Sequence, residues 1–130
     1  MALPRAKKGG DSARVDRTSR PIDLVHLARQ TLGDRGLECE VLRMFETQVN
    51  LYFERLRAAT DEYEITMGLH TLKGAARGVG AVVLAEQAAA AEAEYARTGR
   101  LDEETLADLG MAVAEVSGYI GTLLSDVNMS

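Results

Sequence analysis

Cysteine occurs once in this 130-residue chain, at Cys39, tryptophan is absent, and proline stands only at Pro4 and Pro21. One thiol allows no intramolecular disulfide, which points to a reducing cytoplasm. The two histidines, His26 and His70, lie too far apart in sequence to give a recognisable zinc spacing. Long apolar runs are also lacking. The longest weakly polar stretch, residues 79–91, is broken by Glu86 and Gln87, and no apolar segment follows the basic N-terminus. Neither a membrane span nor an export signal is therefore expected. No strand-like alternation and no internal repeat is visible.

What remains is a composition that favours helix. Ala, Leu and Glu recur, and an apolar content of 46% is enough for one domain to bury a core without staples. The net charge of −5 is unevenly placed: residues 1–20 hold six basic and two acidic side chains, leaving nine basic and eighteen acidic from Pro21 onward. The first 20 residues read as a disordered basic tail that can touch an anionic surface, and residues 21–130 as one folded domain. The acidity of that domain argues against nucleic acid as its partner.

Five amphipathic patterns follow. A short one opens at Asp23, a plausible N-cap, puts Leu24, Leu27, Ala28 and Leu32 on one side and stops at Gly33. A long one, residues 38–59, spaces Leu42, Phe45, Val49, Tyr52, Phe53 and Leu56 helically. A third runs from Asp61 to about Gly78, with residues 78–80 as a turn. The fourth, residues 81–97, shows a thin face of Leu84, Ala88, Ala91 and Tyr95, so its neighbours must pack close. The fifth, residues 102–126, carries Leu106, Leu109, Val113, Val116, Ile120 and Leu124. The pattern predicts an all-α antiparallel four-helix bundle with an additional short N-terminal helix.

On the third helix Ile65, Leu69, Leu72, Ala76 and Val79 define the core stripe. From it Lys73 lies about 80°, Thr66 about 100°, Arg77 about 120°, His70 about 140° and Gly74 about 180° away. His70 is thus expected to face solvent. A neutral imidazole is a nucleophile at physiological pH, and a phosphoryl group placed on it needs cationic neighbours. Lys73 lies one turn on, while Arg77 either adds a second cation or remains a solvated surface charge. Gly74 is the anomaly: glycine within a helix costs about 1 kcal/mol against alanine, and an outward site has no core packing to explain it. Clearance for an approaching protein is the functional reading, and a helix weakened near its end is the plain one. Counting across the hairpin centred near Ala81 sets Glu92 level with His70, where its carboxylate can orient the ring. His26 reads as partly buried packing and Cys39 as an incidental thiol.

The run His70-Thr71-Leu72-Lys73-Gly74-Ala75-Ala76, followed by Gly80-Ala81, closely resembles the signature of histidine-containing phosphotransfer (HPt) domains. The similarity extends over about residues 21–126, including the Ile22-Asp23 opening, Phe45 and Glu92. It implies a four-helix bundle whose histidine accepts a phosphoryl group from one receiver aspartate and passes it to another, with Lys73 near the phosphoryl and Gly74 as docking clearance. Thr66, Met67 and Arg77 complete the expected docking face. The implied partners are response-regulator receiver domains and a hybrid histidine kinase. No cofactor or metal is expected on this chain, because the receiver brings the divalent ion. The expectation is a cytoplasmic monomer, a carrier without kinase activity of its own, looking like a separate shuttle protein. The rival is a helical adaptor or inhibitor that binds a receiver or kinase without being phosphorylated.

Overall fold

Aspartate side chains start four of the five helices. The computed structural model describes residues 20–129, with side chains through Asp126, so the expected basic tail lies almost wholly outside the described residues. Asp23 accepts the Val25 and His26 amides at the start of α1 (Leu24–Thr31). Asp34 accepts the Leu37 amide for α2 (Arg35–Ala58), and Asp61 the Glu64 amide for α3 (Glu62–Val79). Asp102 accepts the Thr105 amide for α5 (Glu103–Met129), and that bond holds its carboxyl below its ordinary range. Each bond satisfies an amide that the first helical turn leaves without a backbone partner. Only α4 (Val82–Thr98) begins without one, at the buried Ala81.

Short joints make consecutive long helices antiparallel. Helices α2, α3, α4 and α5 pack in sequence, and α5 returns against α2 to close the bundle. The core combines Leu42, Phe45, Val49 and Leu56 with Leu69, Leu72, Ala76 and Val79, the α4 face of Leu84, Ala88 and Ala91, and Leu109, Val113, Val116 and Ile120. Tyr52, Phe53, Ile65, Tyr95, Leu106 and Leu124 pack at its margin, half-buried.

Three expected boundaries move. Asp34 caps α2 one turn earlier than residue 38. Helix α3 continues through Gly78 to Val79, so that the turn is Gly80 alone, in the left-handed conformation. Helix α5 extends to Met129. Leu32 does not join the α1 stripe: it is the left-handed C-cap (φ 55°) and 92% exposed, because the helix unwinds one residue before it.

Helix α1 packs on α2 and is fastened to the α3–α4 turn. The Asp23 N–H donates to the Gly80 carbonyl at 2.8 Å, and His26 Nε2 lies 3.2 Å from the Gly78 carbonyl oxygen. Gly80 has φ 86°, and a Cβ there would sit 3.0 Å from His26 Cδ2 and 3.2 Å from the Asp23 carbonyl oxygen. Gly80→Ala should therefore cost about 2 kcal/mol or more, from left-handed strain and a backbone clash together. Urea unfolding reads this directly, and an unchanged midpoint would show the latch to be dispensable.

Candidate functional site

His70 stands on α3 with its side chain 64% exposed, on the face turned away from Leu69, Leu72 and Ala76. Its Nδ1 is 3.5 Å from Glu92 Oε2 on α4. Antiparallel packing of α3 and α4 brings the two level. Glu92 also accepts a hydrogen bond from Lys73 Nζ through Oε1, at 2.5 Å. Lys73 is only 18% exposed and Glu92 27%, so this ion pair is half-sheltered in the α3–α4 seam.

The bonded Lys73 ammonium is the chief reason the Glu92 carboxyl is held below its usual range, with a smaller contribution from His70, while partial burial opposes both. A carboxyl lowered on folding stabilises the protein above the ordinary carboxylate pKa of about 4.3, and that contribution fades as pH falls through the lower folded value. At neutral pH the carboxylate is ionised. It can accept a proton-bearing Nδ1, which leaves Nε2 with its lone pair, and no described residue hydrogen-bonds Nε2.

The sequence reading kept Lys73 and Glu92 apart, one for the phosphoryl and one for the ring. The structure joins them, because Lys73 lies to the side of α3 that meets α4. Thr66, Met67, Gly74 and Arg77 are all exposed on the His70 side of the helix. At Gly74 a Cβ would meet nothing within 4 Å, so the helix leaves open space one turn beyond the imidazole.

Two further residues escaped the sequence reading. Tyr63 lies seven positions before His70, almost directly beneath it at two helical turns, and is 74% exposed. Arg55 reaches the same region from α2. A groove of about 440 Å³ runs between α2 and α3 there, lined by Tyr52, Arg55, Tyr63, Met67, Gly68 and Thr71 among others. The i, i+7 spacing of Tyr63 and His70 was available in the sequence; Arg55 needed the register of α2 on α3. His26 is not part of the site, being half-buried against the α3–α4 turn, and Cys39 is buried in α2.

Among the described residues no helix is long and apolar enough to cross a membrane, and no cluster of three or more His, Cys, Asp or Glu could hold a metal ion. The chain matches no curated protein and no solved structure. A family model for the Hpt domain matches residues 40–123, which take in all of α3 and α4 and most of α2 and α5. With more than half of the chain matched and an all-helical bundle beneath it, the chain belongs to the Hpt domain family, carriers rather than kinases in two-component phosphorelays.

Proposed function

We propose that His70 is the phosphoryl carrier of this domain. The observation that supports it most is the exposed imidazole whose Nδ1 faces Glu92 while Gly74 leaves open space beside it. Nε2 attacks the phosphorus of a receiver phospho-aspartate in line, the P–O bond to the aspartate breaks, and the carboxylate departs. Glu92 holds the Nδ1 proton as the ring gains positive character. Lys73, paired with Glu92 at rest, lies one turn from the ring and offsets charge on the transferred group, and Arg77 lies a further turn on. Delivery to a second receiver reverses these steps.

The divalent ion belongs to the receiver, whose acidic pocket has the oxygen ligands such ions take. Docking uses Gly74, Thr66, Met67 and Arg77. On this reading the chain works as a cytoplasmic monomer between a hybrid histidine kinase and a response regulator, with no cofactor of its own. Incubation with a labelled phospho-receiver tests it: label should move to the chain, survive base and be lost in acid, as an N–P bond requires. Stable binding of phospho-receivers without transfer would leave a helical adaptor instead.

Glu92→Ala should slow transfer by roughly three- to thirtyfold, the low end for an orienting group because the pair is partly hydrated. Ring ¹⁵N shifts should report Nδ1–H in the parent and a larger Nε2–H share in the variant. Unchanged rate and unchanged tautomer together would reduce Glu92 to a surface acid.

A further inference from the structure

One carboxylate serves two groups at this site. Glu92 accepts Lys73 Nζ on Oε1 at 2.5 Å and faces His70 Nδ1 with Oε2 at 3.5 Å, and no other described side chain bonds it. The two contacts are unequal. The ammonium bond is short and half-sheltered, with Lys73 18% and Glu92 27% exposed, whereas the ring contact is long and the ring 64% exposed. At rest the ammonium therefore belongs to Glu92, and the pair brings no net charge to the imidazole. The next cation along α3 is Arg77, about 10 Å of helical rise from His70, and its guanidinium makes no ion pair among the described residues.

A phosphoryl group on Nε2 adds about −2 of charge at the ring nitrogen remote from Glu92. We infer that phosphorylation makes Lys73 change partner, from Glu92 Oε1 to a phosphoryl oxygen, and that Glu92, by competing for this ammonium, limits how firmly His70 keeps the group. The inference rests on His70 being the carrier. Reach is not an obstacle. Only about 4.5 Å of rise separates the two residues, and helical side chains lean toward the N-terminus, so the four-carbon stem of Lys73 extends back over the His70 turn. The acceptors are closely matched: the phosphoryl has the greater charge but stands in water on an exposed ring, while the carboxylate has one charge in a sheltered seam. Exchange also leaves two anions at opposite edges of one ring, with Glu92 keeping only the Nδ1 proton. A group held on these terms is readily passed on. Glu92 thus acts on the transfer equilibrium through Lys73, separately from its effect on rate through the ring.

Loading the full chain with phosphoramidate at pH 8 tests the exchange without a receiver: the donor P–N bond breaks, the Nε2–P bond forms and ammonia leaves. With ¹³C-labelled glutamate, the Glu92 Cδ signals of the parent and of Lys73→Met should differ before loading. After loading, that difference should shrink by half or more. With a receiver that exchanges phosphoryl groups with the parent, Glu92→Gln should shift the equilibrium toward the phosphorylated chain about three- to tenfold, since it keeps an acceptor but removes the competing charge. In a Lys73→Met background the same substitution should give no such gain. Loading that leaves the Cδ difference unchanged, or an equal gain in both backgrounds, overturns the exchange alone. A parent chain that takes up no acid-labile phosphoryl overturns the carrier reading and the exchange together.

Discussion

Replacing His70 with glutamine should remove phosphoryl uptake to the detection limit and leave the bundle folded. Glutamine keeps the length and polarity of the side chain but offers no nucleophilic ring nitrogen. The structural loss is small, since His70 is 64% exposed and its one described polar contact is Glu92 at 3.5 Å. Glu92 is not left as an unpaired charge, because Lys73 still bonds its other oxygen. Uptake and unfolding can therefore be separated in a single variant. Transfer from a labelled phospho-receiver, read beside a thermal melt, provides the check. Labelling of the variant at the parental level, or label mapped to His26, would move the chemistry elsewhere. His26 is poorly suited to it, with Nε2 already against the Gly78 carbonyl.

Gly74→Gln should behave in the opposite structural sense while also losing function. Its Cβ would enter open space, with nothing within 4 Å, so the substitution meets no steric penalty in the free protein. Removing a mid-helix glycine gains up to about 1 kcal/mol, and the melting temperature should stay level or rise slightly. The larger side chain would occupy the space one turn from the imidazole that a docking receiver needs, and transfer should fall tenfold or more. Kinetics equal to the parent would show that nothing docks over this turn, and unfolding would mean that the face is packed.

The bundle was readable because its signals are local. Aspartates precede the apolar patterns of α1, α3 and α5, and the 3.6-residue stripes of α2, α3 and α5 supply the core, with Tyr52, Phe53, Ile65, Leu106 and Leu124 of those stripes half-buried at its margin. Asp34 was missed as a cap because Arg35 and Gly36 blur the start of the α2 pattern. Leu32 was misplaced because periodicity does not show where a helix unwinds: a leucine in phase with the stripe became a left-handed cap instead. At the site, exposure of His70 and the open side of Gly74 followed from angles on one helix. The level of Glu92 followed from counting across a two-residue joint. The Lys73–Glu92 pair did not, because it depends on how far α4 wraps toward the side of α3, a packing distance that spacing along either helix leaves undetermined. The same holds for Arg55 beside Tyr63.

His70 is the ninth of eighteen residues in α3, whose ends are tied by the Asp61 cap and by Gly80. Helices fray from their termini, so the imidazole stands where the backbone is least able to open. Its Cα is placed by complete turns on both sides, and Glu92 on a second helix lies 3.5 Å from one edge of the ring. The entropy of positioning this stretch of backbone is thus spent when the bundle folds, before any partner arrives.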